Sequence, residues 1–220
     1  IAATIHCAAL IVVPESVDNP LKYYRENVSK TVDLLDHLRR NECGRVLFSS
    51  SASMYRPGED FAVDEDSPID PTSPYARTKA MVEGILEDTA AAGEIRAISL
   101  RYFNPIGADP QMRTGLQTRN PSHALGKMIV AWEAGETFTI TGVDWPTRDG
   151  TGIRDYIHVV DLCEAHLAAL EYLRGGGETR VFNLGTGRGY SVQEVIDAIG
   201  RSVQTGRSVD MQRSRRAPVS

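Results

Sequence analysis

The stretch Arg45–Ser51, RVLFSSS, sets the fold class. Its apolar centre reads as a strand, and three consecutive serines close it, so their hydroxyls arrive at the carboxyl end, where a doubly wound sheet presents its ligand-binding groups. Outward from this run, short β-rich apolar segments at residues 4–8, 95–102, 137–141 and 180–184 alternate with stretches of helical period at 21–40, 75–89, 124–134, 160–173 and 191–201. In the first helical stretch Val28, Val32, Leu34, Leu35 and Leu38 form one broad apolar face. The alternation predicts an α/β fold, a doubly wound parallel sheet wrapped by helices.

The connections carry the rest of the organisation. Residues 56–73 form a Pro- and Asp-rich loop, and Ser73-Pro74 introduces the helix at 75–89. Residues 104–122, with Gly107, Pro110, Gly115 and Pro121, have the length of a lid or binding loop, and 145–159 reads as a tight loop that passes into a helix. Residues 1–103 are therefore expected to form a cofactor-side scaffold. Residues 104–220 are expected to be mainly a smaller α/β substrate-binding region, with segments at about 150–190 returning to the first core.

Composition excludes several classes. The 220 residues carry 24 basic and 29 acidic side chains, a formal net charge of -5, which gives no general attraction to nucleic acid or to an anionic membrane surface. No run approaches the length of a membrane span, and the opening residues lack the basic flank of a signal peptide. Cys7, Cys43 and Cys163 are too few and too scattered for a disulfide framework or a metal cluster, so no metal is expected and a reducing cytoplasm fits best. Because Ile1 opens directly into an apolar run, the chain is expected to begin inside a domain.

Tyr75 and Lys79 stand four residues apart at the start of one helix and share a face. An ammonium beside a phenol favours phenolate, so Lys79 is expected to lower the Tyr75 pKa, and a hydroxyl at Ser51 on a neighbouring strand end could hold a substrate oxygen while Tyr75 takes its proton. A surface pair on a helix is the bland reading of Tyr-x-x-x-Lys alone. His158 and Asp161 read as structural, Asp161 as a helix N-cap.

Five segments, SSSASMY, SPYARTK, RYFNPIGAD, DGTGIRDYIHVVDL and FNLGTG, stand in the order and spacing of the extended short-chain dehydrogenase/reductase family, which the chain resembles over essentially its whole length. Within that family it is most similar to the UDP-glucose 4-epimerases. The resemblance implies a Rossmann-like sheet, incomplete at its N-terminal end, and an NAD-dependent isomerase. The reaction implied is epimerisation at C4′ of a UDP-hexose through a 4-keto intermediate. It implies Ser51, Tyr75 and Lys79 as catalytic residues, and His6, Cys7, Ala8, Ala9, Asn27, Ser51, Tyr75, Lys79 and Phe103 at the cofactor. Ser51, Tyr75, Phe103, Asn104, Leu125, Arg154 and Arg216 are implied at the substrate. A homodimer through the Tyr75 helix is also implied, with Ala80, Met81, Ile85 and Leu86 as candidates for its face, though the same residues equally suit the core.

Departures and rivals stand beside this. The family's GxxGxxG loop and the acidic residue that holds the adenosine ribose are absent, and the chain ends at RRAPVS where the family continues, so it is expected by itself to bind NAD poorly or not at all. Ile11, Glu26, Arg56 and His123-Ala124 replace residues usual in the family. A nucleotide-sugar 4,6-dehydratase is the nearest rival, but it needs carboxylates near Ser51 where this chain has Ala52 and Ser53. Another nucleotide-sugar 4-epimerase is a second alternative, and a non-catalytic dinucleotide-sensing protein is a third, which commonly loses the Tyr or Lys retained here.

Overall fold

Valine, leucine and phenylalanine in Arg45–Ser51 alternate between the two faces of a strand, and the computed structural model shows what each face meets. It describes residues 2–56, 58, 61–115, 117–118, 121, 123–140 and 142–205. Four strands, β1 (Thr4–His6), β2 (Arg45–Ser51), β3 (Arg96–Tyr102) and β6 (Arg180–Leu184), form a parallel sheet in the order β1-β2-β3-β6. β4 (Asn104–Ile106), β5 (Ile153–His158) and β7 (Gly189–Ser191) are short.

Both sheet faces are covered. On one, Val46, Phe48 and Ala97 pack with Leu35 and Leu38 of helix α3 (Lys30–Arg40) and Val82 and Leu86 of α4 (Pro74–Ala91). On the other, Leu47, Ile98 and Leu100 pack with Ala169 and Leu173 of α6 (Val159–Arg174). The sheet is thus doubly wound, and its two central strands are buried from their second residue almost to their last.

The chain divides into two compact units. The first comprises the residues up to Gly107 with Ile157–Gly185, and the second Ala108–Tyr156 with the residues from Thr186 on. The second has a small core of Met128, Tyr190 and Val195, drawn from α5 (Ala124–Ala134), β7 and α7 (Val192–Thr205). There β7 pairs antiparallel with β5, Arg154 opposite Tyr190. Ser191 and Glu194 cap α7 reciprocally: the Glu194 amide donates to the serine Oγ at 3.1 Å, and the Ser191 amide donates to Glu194 Oε2 at 2.9 Å.

Several elements differ from the sequence expectation. Helix α1 (Val13–Asp18) precedes the expected one; Val13 and Val17 are exposed, so it shows no core-facing stripe to read. The following helix is continuous from α2 (Pro20–Tyr23) through a π-helical stretch, Tyr24–Ser29, into α3. Residues 137–140 are irregular, not a strand, whereas Ile153–His158, expected as loop because of the glycines before it, is β5. The cap of α6 is the ring of His158, which accepts from the Val160 amide at 3.2 Å, and Asp161 lies inside the first turn. The His158 ring also explains Gly107: its φ is 93°, and a Cβ there would collide with that ring. Of the four candidates for a dimer face, Leu86 is core and Ile85 packs against it, while Met81 is 49% exposed.

Leu173 is fully buried and Leu167 of the same helix is 61% exposed. Leu173→Ala is expected to cost about 2–5 kcal/mol by the lost contacts and the cavity left, and Leu167→Ala no more than about 0.5 kcal/mol. Denaturant unfolding of the two variants checks the difference.

Candidate active site

The carboxyl end of the parallel sheet is built by three segments: the end of β2, the first two turns of α4 and the chain leaving β1. Ser51 ends β2 and its Oγ accepts from the Ser53 amide at 3.2 Å, which starts a 3-10 turn at Ala52–Met54 and fixes the serine in place. Ser73 caps α4 by accepting from the Ala76 amide at 3.2 Å, and Pro74 supplies the first helical residue. Tyr75 therefore lies in the first turn of a firmly started helix, with Lys79 one turn on.

Lys79 is only 4% exposed. Its Nζ donates to the Ser49 carbonyl at 2.6 Å and lies 4.7 Å from the Phe48 ring centroid and 5.9 Å from that of Tyr75. Burial pulls its pKa down to about 8, against the upward pull of Cys7 and Glu83. The expected lowering of the Tyr75 pKa does not hold in this structure. Burial pushes the phenol up, and the nearby Ser51 hydroxyl draws it back in part. Ser51, Tyr75 and Lys79 are thus brought to the same end of the sheet, with Ser51 Oγ hydrogen-bonded to Ser53 Oγ at 2.9 Å.

The segment after β1 adjoins this set. His6 Nε2 meets Thr31 Oγ1 at 2.9 Å; since that hydroxyl donates to the Asn27 carbonyl at 2.6 Å, the ring nitrogen is the donor. Burial, then the Lys79 charge, lowers the His6 pKa. Cys7 and Ala8 are exposed, Ala9 is half-buried, and Cys7 Sγ accepts from Ser49 Oγ at 3.1 Å. Asn27 is buried and clamps the next residue. Its Oδ1 accepts from the Leu10 amide at 2.8 Å, and its Nδ2 donates to the Leu10 carbonyl at 2.9 Å and to Thr78 Oγ1 at 3.2 Å. The Asn27 amide is therefore spent on the backbone of this segment and on the Tyr75 helix.

Phe103 and Asn104 follow β3, whose last residue, Tyr102, is in register with Ser51; the Phe103 amide donates to the Leu184 carbonyl at 3.1 Å. Leu125 and Arg154 belong to the second unit. Leu125 packs against the Met128, Tyr190 and Val195 core. Arg154 is exposed, with its Nη1 donating to the Ile153 carbonyl at 2.7 Å. Neighbouring Asp155 turns instead to the backbone amides of Thr186 and Gly187, at 2.8–2.9 Å. Arg216 lies outside the described residues.

Sequence reasoning missed the polar groups beneath the site. Tyr102 hydroxyl meets Ser49 Oγ at 2.8 Å and His166 Nε2 at 2.6 Å. On the other sheet face Glu83 receives Ser50 Oγ and the guanidinium of Arg101. The available signal was strand alternation: Ser49 and Tyr102 share a face with Leu47 and Leu100, and Ser50 and Arg101 with Phe48 and Ala97.

Among the described residues no helix is long and apolar enough to cross a membrane, and no group of three or more His, Cys, Asp or Glu side chains is arranged to hold a metal. Comparison with known proteins places the chain. The family described as NAD dependent epimerase/dehydratase matches residues 1–185. UDP-glucose 4-epimerase of Azospirillum brasilense is 45% identical over 195 residues, covering 88% of this chain and 56% of that protein. That of Bacillus subtilis is 43% identical over 201 residues, covering 90% and 59%. Among solved structures, UDP-glucose 4-epimerase from Brucella ovis in complex with NAD superposes with a TM-score of 0.87 at 42% identity, covering 91% of this chain and 62% of that one. The Stenotrophomonas maltophila enzyme, with bound NAD and formylated UDP-arabinopyranose, gives 0.88 at 39% identity, covering 95% and 62%. The chain therefore spans less than two thirds of the length of these relatives. With a doubly wound sheet, a Ser51, Tyr75 and Lys79 set at its carboxyl end and a family match over most of its length, the chain belongs to the NAD dependent epimerase/dehydratase family.

Proposed function

We propose that the protein carrying this chain interconverts UDP-glucose and UDP-galactose by epimerisation at C4′ with NAD. The observation that carries this reading is the joining of Ser51, Tyr75 and Lys79 at the carboxyl end of a parallel sheet, in a chain whose relatives at 42–45% identity are UDP-glucose 4-epimerases. The residues present fit the nicotinamide half of the cofactor. Cys7 and Ala8 are exposed just past β1 and bulk is absent there, so a flat ring can lie against backbone, beside the ammonium of Lys79. His6, Cys7, Ala8, Ala9, Lys79 and Phe103 would hold the group, with Asn27 fixing the segment through Leu10. When bound, NAD supplies the acceptor for the C4′ hydride and its later return.

The chain's own groups handle the proton and the sugar. Ser51 orients the 4′-hydroxyl and Tyr75 removes its proton, then returns it when the keto sugar has turned over. Burial keeps the Tyr75 phenol protonated at rest, and its partners must offset that cost during turnover: the Ser51 hydroxyl by hydrogen bonding and Lys79 by its charge. Phe103, Asn104, Leu125, Arg154 and Arg216 are assigned to the nucleotide sugar. The guanidinium groups among them suit a diphosphate. We assign the first unit to the cofactor and the second mainly to the nucleotide sugar, and read the protein as a cytoplasmic homodimer, with exposed Met81 on α4 as a candidate for its face.

Conversion of UDP-galactose to UDP-glucose, with NAD supplied, tests the reading. Tyr75→Phe is expected to lower kcat roughly a hundred- to ten-thousand-fold with the fold retained. NAD binding without any conversion in the unmodified protein would sink the substrate assignment. A second expectation concerns pH. Lys79 acts as a cation and its folded pKa lies near 8, so its contribution is full well below that value and fades as pH rises through it. The kcat profile should then carry an alkaline limb near pH 8 that disappears in Lys79→Met, whose residual rate is low and flat; persistence of the limb in Lys79→Met would assign it to another group.

A further inference from the structure

We propose that Glu83, buried one helical turn beyond Lys79, is a positioning residue of this site: through Ser50 it fixes the end of β2, and its negative charge, one turn along α4, favours the charged form of Lys79. The inference rests on the reading of Tyr75 and Lys79 as the reactive pair, and Glu83 itself touches neither substrate nor cofactor.

The geometry converges on one carboxylate. Glu83 is 4% exposed and Arg101, on β3, is 6% exposed. Arg101 Nε donates to both carboxylate oxygens at 3.1 Å and its Nη2 to Oε2 at 2.6 Å. Ser50 Oγ donates to Oε1. One side chain of α4 thus ties β2 and β3 to the helix that carries Tyr75 and Lys79, and its β2 partner is the residue before Ser51. The guanidinium is itself held: its Nη1 donates to the Tyr55 hydroxyl at 2.6 Å, which donates on to Asn183 Oδ1 at 2.7 Å. Burial works against the Arg101 charge, but Glu83 and Tyr55 outweigh it and raise its pKa, so the guanidinium stays charged.

A fold anchor alone needs no particular charge sign near Lys79, and this is where the two roles part. The groups that surround Lys79 are His6 and Cys7 from the β1 segment, the Ser49 carbonyl and Phe48 ring from β2, and Tyr75 and Glu83 from its own helix. Glu83 is the carboxylate of that set. Burial draws Lys79 down to about 8, and Cys7 and Glu83 oppose it. Taking the negative charge away while leaving Arg101 in place must move Lys79 further down.

The test is the titration of Lys79 in the protein carrying this chain, followed by its Cε chemical shift in 13C-labelled protein and assigned by the loss of that resonance in Lys79→Arg. In Glu83→Gln the midpoint is expected to fall by about 1 pH unit, the scale of a nearby opposite charge lost. The alkaline limb of kcat should move with it, kcat should fall and KM should hold. Should Glu83→Gln not fold, Glu83→Leu with Arg101→Met replaces the pair by apolar groups of similar size, a change that buried ion pairs often tolerate. The midpoint should then fall by less, because the opposing positive charge is gone as well. A Lys79 midpoint unmoved in a folded variant overturns the proposal and leaves Glu83 a fold anchor. If the unmodified protein leaves UDP-galactose untouched, the epimerase reading fails, whereas the Lys79 midpoint still decides the role of Glu83.

Discussion

An ammonium withdrawn from water is the constraint around which this site is organised. Lys79 is almost fully buried at the end of a parallel sheet, and a charge in that position is tolerated only when fixed partners replace its hydration. The Ser49 carbonyl supplies one, the face of Phe48 lies beneath, and the negative charge of Glu83 stands one turn along the helix. Each partner belongs to β2 or α4, so the demands of one charged group hold the strand and the helix in a fixed relation. Ser51 and Tyr75 are carried by the same two elements, and their meeting follows from that relation.

The three serines that end β2 show how a strand distributes polar groups without leaving any of them stranded. Alternation sends Ser50 to the α4 side, where its hydroxyl donates to Glu83, and Ser49 to the α6 side, where its hydroxyl accepts from Tyr102. Ser51, at the end, meets the Ser53 hydroxyl at 2.9 Å and stands near Tyr75. β3 repeats the rule with Arg101 on one face and Tyr102 on the other. The apolar residues below them, Val46, Phe48 and Ala97 against α3 and α4, and Leu47, Ile98 and Leu100 against α6, follow the same alternation. Apolar core and polar site are thus successive layers of one pleat, and a shift of register by one residue would invert both at once.

Legibility in the sequence tracked how locally each feature is determined. Arg45–Ser51, Ala124–Ala134 and Arg180–Leu184 could be read because strand or helix period alone marks them. β5 and α1 could not: the first follows a glycine-rich turn, and the second keeps Val13 and Val17 in water and so has no apolar stripe. Asp161 looked like a cap because its residue type suits one, but the nearer His158 ring occupies the position. At the site, Tyr-x-x-x-Lys and the serine run were visible as residues. The Asn27 clamp on Leu10 and the Glu83–Arg101 pair depend on partners 17 and 18 residues away, which no local pattern reports.

The direction of the Tyr75 shift carries the last point. Proximity of Lys79 in sequence suggested a lowered phenol, yet the helix turns the ammonium toward the Ser49 carbonyl, and burial of the phenol outweighs what remains. Burial disfavours the charged form of each group, phenolate for Tyr75 and ammonium for Lys79, so the same dry environment pushes one pKa up and the other down. The pair is therefore held with its two titrations driven apart, the phenol protonated and the ammonium discharged at about 8. In such a site a neighbouring charge acts with little water to screen it, so small changes in what faces Lys79 move its titration. That sensitivity gives a physical reason for a carboxylate to be buried one turn beyond the lysine, at the expense of needing Arg101 and Ser50 to hold it there.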